Sequence, residues 1–184
     1  GWSAIDNTNH GFFWRWTTSG PRGHYVGFPT FDVGNSAQKL NSTSDHVIGG
    51  EDGFIILESD WYNTTPQGAA VMPAVVMDSY IQTRHIVTTE SPAVTLYFEQ
   101  WHRFCCSNYA AGVGPKLYVS TNGTTWTEFS VQSASIGATP RYNPARIEIS
   151  LSSVAASQST VYLRFHVKGE THYFWMIDDI TLYE

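Results

Sequence analysis

The feature that most constrains this chain is a two-residue rhythm. Ala93–Phe104 reads AVTLYFEQWHRF, Lys116–Ser120 reads KLYVS and Thr160–Val167 reads TVYLRFHV, each with β-branched or aromatic residues on alternate positions. Successive side chains on a strand point to opposite faces, so this alternation builds half-buried strands. Thr125–Val131, Ala145–Leu151 and His172–Tyr183 continue it. Between Lys116–Ser120 and Thr125–Val131 stands Thr121-Asn122-Gly123-Thr124, a turn whose Asn-Gly pair tolerates left-handed backbone, so the two segments read as a hairpin. The N-terminal half is looser: Phe12–Thr17, Gly53–Glu58 and Tyr80–Val87 read as strands. Loops rich in Gly and Asn cover Ser19–Gly27, Gly34–Ser44 and Trp61–Gly68. Only Ser152–Ser157 suits a helical turn. About ten short strands with closely spaced turns predict an all-β sandwich.

Composition narrows the functional classes. The chain has 184 residues, of which 14% are charged and 15% aromatic, with a net charge of −6. An average soluble domain is about 25% charged. The apolar content is enough to offset ordering entropy, which excludes disorder. There is no basic patch to displace counterions from phosphates, so nucleic acid is not an expected partner. No apolar run of about 18 residues exists, so no membrane insertion is expected. One domain over residues 1–184 fits the length. Solubility carried by Ser, Thr, Asn and Gln points to a secreted or cell-surface protein. The Gly1-Trp2 start is expected to be the cut edge of a longer product. Cys105 and Cys106 are adjacent, and their Cα separation of about 3.8 Å is below the usual disulfide span of about 4.4–6.8 Å. Two free thiols and a strained vicinal disulfide both remain open.

Several blocks, taken in order, carry a resemblance. Tyr173-Phe174-Trp175-Met176-Ile177-Asp178-Asp179-Ile180-Thr181-Leu182 resembles the closing strand of secreted MAM-like, cleaved-adhesin-like and choice-of-anchor jelly-roll domains of Bacteroidota surface proteins. Gly1–Asp6 is similar to the entry after their first strand, and Asp52–Asp60 to their DGF, apolar strand, SD segment. Val94–Arg103 is similar to the central strand ending FEQ-x-x-R, and Leu117–Trp126 to the VSTDG-x-TW hairpin, with Asn122 where Asp is usual. The family's first strand, with its acidic residues, is missing before residue 1, and Thr65–Asp78 has no clear counterpart. The resemblance implies a jelly-roll β-sandwich of two antiparallel sheets, concanavalin- or galactose-binding-like. It also implies a non-catalytic binding or adhesion module, often with structural calcium. Such modules are joined to neighbouring domains of the same polypeptide or exported by type IX secretion.

Four constellations bear on function. Asp178-Asp179 stands between Ile177 and Ile180, and alternation aims one carboxylate of the pair at the sandwich interior or an edge loop, where it needs a partner. One reading is a structural calcium ion held by Asp179 and Asp178 with Asp45, Asp52 or Asp60, and with Asp6 and Glu51 as further oxygens. The other is that the pair accepts loop N–H groups or an arginine such as Arg103 or Arg164. Second, Trp61, Tyr62, Tyr109 and Tyr142 lie in polar loops, where aromatic planes suit stacking against sugar C–H faces, so they are the candidate ligand platform. At least two of Trp14, Trp16 and Trp175 are expected in the core. Third, the seven histidines make no metal signature, and His102 and His166 read as ordinary strand residues. Fourth, Glu58-Ser59-Asp60 begins a jelly-roll glycosidase pattern that fails at Asn63, and no nucleophile elbow or P-loop occurs. Asn41, Asn63 and Asn122 open chance N-glycosylation sequons.

The expected function is a non-catalytic extracellular adhesion or carbohydrate-binding module whose partner is a glycan or a surface protein. The alternatives are a structural accessory domain docked on a neighbour and, third, a glycoside hydrolase.

Overall fold

A computed structural model describes residues 1–19, 21–25, 53–104, 114–131, 145–170 and 172–184. Among these residues ten strands run in chain order: β1 (Trp2–Asp6), β2 (Arg15–Thr17), β3 (Phe54–Leu57), β4 (Val76–Thr83), β5 (Thr95–Phe104), β6 (Gly114–Ser120), β7 (Thr127–Ser130), β8 (Ala145–Ser150), β9 (Tyr162–Glu170) and β10 (Tyr173–Tyr183). Among the described residues, two single-turn helices, α1 (Ser59–Tyr62) and α2 (Ser152–Ala155), interrupt them. The strands form two antiparallel five-stranded sheets, ordered β1-β4-β9-β6-β7 and β2-β3-β10-β5-β8. This is the all-β sandwich that the alternation predicts, in the jelly-roll form that the resemblance implies.

The inward positions of both sheets make one core. Met77 and Ile81 of β4, Leu117 and Val119 of β6, and Leu163, Phe165 and Val167 of β9 meet Leu96 and Phe98 of β5 and Trp175 and Ile177 of β10. Aromatic rings organise the contact: Phe165 packs edge-on to Phe98 and to Trp175, and Trp14 packs edge-on to Trp175 at 5.3 Å. Such pairs add about 0.5–1.5 kcal/mol beyond their buried area. Trp14 and Trp175 are therefore core, whereas Trp16, on edge strand β2, is 65% exposed. Gln100 crosses the core as a satisfied polar residue. Its amide donates to the Val131 carbonyl and its Oε1 accepts from Trp175 Nε1 at 2.9 Å.

The second sheet is also buried on part of its other face. Phe54, Ile56, Trp101, Phe174 and Met176 form a separate apolar cluster there. The unbroken apolar runs Phe54–Leu57 and Phe174–Ile177 are the sequence mark of strands covered on both sides.

The strand edges depart from the sequence reading in physically informative ways. Trp2–Asp6 is a full edge strand paired to β4, and Phe12–Thr17 contracts to three residues. The segment expected at Tyr80–Val87 begins as a strand at Val76 and ends at Thr83; beyond it pairing continues only in isolated contacts, Arg84 N–H donating to the Gly1 carbonyl and Ile86 bridging Val161. The β6–β7 turn is wider than two residues. Asn122 Oδ1 caps it by accepting from the N–H groups of Thr124 and Thr125, and Gly123 takes the left-handed position at φ 74°.

The Asp178-Asp179 pair sits on a β-bulge. Asp178 pairs with Glu99 and Thr181 with Tyr97, so three steps on β10 match two on β5. The extra residue is Asp179, in the left-handed region at φ 49° and exposed. Without the bulge, alternation would drive its carboxylate into the core. The bulge turns it outward and returns Ile180 and Leu182 to the core side. That removes a desolvation cost of several kcal/mol for a strained φ costing about 1–2 kcal/mol. Of the two directions expected for one Asp of the pair, the sandwich interior or an edge loop, the interior is ruled out: Asp178 is half-buried and Asp179 exposed.

His102 makes the fold acid-sensitive. Burial lowers its pKa to about 4 from 6.5. The folded state therefore resists a proton that the unfolded chain accepts below about pH 6.5. Stability is full above that pH and is lost as pH falls toward 4, by roughly 3 kcal/mol. Unfolding free energies from urea titrations at pH 7.5 and 4.5 should differ by roughly 2.5 kcal/mol in the native protein, and His102→Phe should remove most of the difference. An equal pH dependence in the variant would refute the assignment.

Candidate functional site

The loop residues expected to carry function are tied into the scaffold. Glu58, buried before α1, receives Arg15 Nε at 2.7 Å, Arg22 Nη2 at 2.7 Å and the Arg22 N–H at 2.9 Å. Asp60, within α1 and fully buried, accepts from the Tyr25 N–H at 2.6 Å and lies 3.1 Å from His172 Nδ1. Asn63 Nδ2 donates to the Ser59 carbonyl, and its Oδ1 accepts from the Val75 N–H at 2.6 Å. Gly23 permits the close approach: a Cβ there would come within 2.5 Å of the Asp60 backbone. These side chains tie Arg22, Tyr25 and Val75 to α1 and the residues flanking it. Trp61 has one ring face under Arg22, whose Cζ is 4.2 Å from the ring centroid. Tyr62 is not the exposed loop ring expected. It is half-buried against Phe12, and its hydroxyl both donates to the Phe13 carbonyl and accepts from the Phe13 N–H. Burial, first among the causes, raises its pKa.

The candidate metal residues are dispersed in the same way. Asp6 is a loop clamp: it accepts from Thr8 N–H and Oγ1 and from the Gly11 and Phe12 N–H groups. Burial pushes its pKa up, but these four hydrogen bonds outweigh it and hold the carboxyl below its usual value. Asp60 meets the chain at His172, next to the start of β10, whereas Asp179 lies far along that strand, roughly 20 Å away at about 3.3 Å per residue. Among the described residues, no three His, Cys, Asp or Glu side chains converge to hold a metal ion. The described carboxylates therefore do not by themselves make a calcium cage of six to eight oxygens. Asp45, Glu51 and Asp52, like Tyr109, Tyr142, Cys105 and Cys106, lie outside the described residues. Asp179 lines a pocket of about 210 Å³ with Tyr97, Glu99, Arg146, Thr181 and Tyr183 on the outer side of the second sheet.

The functional groups gather on the outer face of the first sheet. The positions of β4, β9 and β6 that alternate with the core carry Asp78, Tyr80 and Gln82; Arg164, His166 and Lys168; and Lys116 and Tyr118. Strand register aligns them in rows. Gln82, Arg164, Tyr118 and Glu128 form one row, and Tyr80, His166, Lys116 and Ser130 the next. Arg164 Cζ lies 3.9 Å from the Tyr80 ring centroid and 3.7 Å from that of Trp126. Its Nε and Nη2 both donate to Gln82 Oε1. His166 Nε2 is 2.7 Å from Asp78 Oδ1, and its ring meets those of Tyr80 and Tyr118. Tyr118 donates to Glu128 Oε2, whose other oxygen pairs with Lys116.

This network perturbs its own titrations. Burial pushes the Asp78 pKa up, but hydrogen bonds from Asn7, His166 and Lys168 bring it below the usual value. Burial lowers His166, against the pull of Asp78. Burial and the Glu128 charge raise Tyr118, while Lys116 lowers Glu128. A cluster of shifted groups on one accessible face marks a functional-site candidate. Sequence reading missed it because each outward residue looks like an ordinary polar strand position. The available signal was the aromatic and guanidinium content of those positions, where a purely solvated face carries Ser, Thr and Lys.

No protein-family model matches the sequence, and no curated protein matches it. Solved structures match over nearly the whole chain. The carbohydrate-binding module TmCBM61, in complex with β-1,4-galactotriose, superposes with a TM-score of 0.52 at 11% identity, covering 100% of this chain and 88% of that one. The K1 cleaved adhesin domain of Lys-gingipain from Porphyromonas gingivalis W83 has a TM-score of 0.52 at 14% identity, covering 99% and 89%. The K3 cleaved adhesin domain of the same protein has a TM-score of 0.52 at 18% identity, covering 98% and 88%. At these identities the likeness is one of fold, and that fold is the jelly-roll β-sandwich.

The Glu58 clamp gives a direct test of the loop scaffold. Glu58→Ala should destabilise the protein by about 2 kcal/mol. That is below the ~3–5 kcal/mol for breaking a fully buried pair, because Arg15 and Arg22 are each about one-third exposed and regain hydration. Denaturant titration measures it; an unchanged midpoint would show that the clamp contributes nothing.

Proposed function

We propose that this protein is a non-catalytic carbohydrate-binding module, secreted or displayed at the cell surface, that holds a glycan across the outer face of the first sheet. One observation carries the reading. Three aromatic rings, Tyr80, Tyr118 and Trp126, share that exposed face with side chains already fixed by one another's hydrogen bonds. Aromatic planes contact sugar C–H groups, and preformed polar groups meet the hydroxyls without ordering new side chains. The strands hold the face rigid, which suits recognition of a repeating ligand. The fold likeness to a module solved with galactotriose and to adhesin domains supports the class. Catalysis has no comparable support. Glu58 and Asp60, the carboxylates of the glycosidase-like pattern, are both committed to loop clamps.

A second reading has one observation in its favour. Trp16 on the β2 edge is 65% exposed, and Met72, beside Tyr25, is 70% exposed; neither belongs to the Tyr80, Tyr118 and Trp126 face. They suit docking against a neighbouring domain while the sheet face stays open.

Calorimetric titration against an oligosaccharide panel tests the main reading. Tyr118→Ala and Trp126→Ala should each weaken binding about tenfold or more, equivalent to ~1.4 kcal/mol. Trp61→Ala should leave binding within about twofold. Loss confined to Trp61→Ala would move the site to α1, and an inert panel would contradict the function.

A further inference from the structure

Arg164 is held in a way that a neutral sugar platform does not require. Two rings pack against its guanidinium, whose Cζ is 3.9 Å from the Tyr80 ring centroid and 3.7 Å from that of Trp126, and its N–H edges make the hydrogen bonds. One edge, Nε with Nη2, faces the neutral Gln82 Oε1. Nη1 makes no hydrogen bond among the described residues and is not among their buried unpartnered atoms. The edge formed by Nη1 and Nη2 is therefore an open donor fork.

Its charge is also uncompensated at contact range. The other cations of the face are paired: Lys116 with Glu128, and His166 and Lys168 with Asp78. No carboxylate lies in salt-bridge contact with Arg164 among the described residues; Asp78 acts on it only from a distance. A planar guanidinium matches the two oxygens of a carboxylate through parallel N–H donors, and packing against two rings fixes that fork in advance.

We propose that Arg164 receives the carboxylate of a uronic-acid residue, so that the glycan bound on this face is acidic. The inference rests on the reading of the face as a glycan site. The net charge of −6 does not oppose it, since exposed charges beyond about 8 Å are largely screened at physiological ionic strength. The fork acts well inside that distance.

The test uses uronate oligosaccharides (galacturonate, mannuronate and guluronate, and glucuronate-containing), their methyl-esterified forms, sulfated oligosaccharides and neutral galactan and glucan fragments. Esterification removes the charge and keeps the ring. Binding of at least one uronate series is expected, weakened tenfold or more by esterification and by Arg164→Gln. Arg164→Lys, which keeps the charge and loses the fork, should recover only part of the loss. Arg146→Gln, which deletes the same charge on the other sheet, should leave binding unchanged. Thermal melts of each variant confirm folding. Neutral fragments bound through Tyr118 and Trp126 with no uronate bound would overturn this inference and leave the glycan site standing. Sulfated but not uronate binding would overturn the carboxylate assignment. Silence across the whole panel would overturn both the inference and the glycan reading.

Discussion

The alternation of strand β9 is the constraint on which the rest of the structure depends. Leu163, Phe165 and Val167 face the core, and Arg164 and His166, between them, face out. The strand lies at the centre of the first sheet, paired to β4 on one side and β6 on the other. A one-residue slip would put a guanidinium and an imidazole into the apolar interior and three apolar side chains into water. At about 1.5–3 kcal/mol for each large apolar side chain, that register is strongly fixed. The hydrophobic effect thereby also fixes the surface, since the burial that sets Phe165 against Trp175 places Arg164 against Tyr80 and Trp126.

A second regularity concerns where charge is spent. With few charged residues, this chain uses many of them as fasteners. Asp6 closes the loop after β1, Glu58 collects two arginines, and Asp60 holds residue 25 and His172. Each receives donors from segments that carry little regular structure of their own. The bulge at Asp179 serves the opposite end by keeping a carboxylate out of the core. The loops and the bulge are solutions to stability problems, and they leave the outer face of the first sheet uncovered by these fasteners. Among the described residues, the carboxylates of Asp6, Glu58 and Asp60 are taken up by hydrogen bonds within the chain.

Much of the fold was legible in the sequence, because a period of two is a direct imprint of one-sided burial. The β6 and β7 strands of the hairpin and the segment after Ala93 follow from it, while the turn at Ser152 stands out by lacking it. Short edge strands were harder. Trp2–Asp6 is held mainly by backbone pairing to β4, and its residues show no apolar rhythm. The bulge was invisible because it depends on the register between β10 and β5, which no local pattern encodes. The candidate site was legible only in its parts. Tyr80, Tyr118 and Arg164 are far apart in sequence, and pairing of β4, β9 and β6 alone brings them together. The loop aromatics drew attention for the opposite reason: Trp61-Tyr62 is contiguous and flanked by polar residues, yet Tyr62 turns inward on Phe12.

The claim at the centre of this account is that recognition occurs on the outer face of the first sheet. Chemical-shift mapping of the labelled protein, titrated with the oligosaccharide it binds most tightly, tests it most directly. The account predicts that the shifts concentrate on Tyr80, Tyr118, Trp126, Arg164 and His166, with Trp61 and Tyr97 unmoved. Shifts centred on Trp61, or on the pocket beside Tyr97 and Asp179, would contradict it.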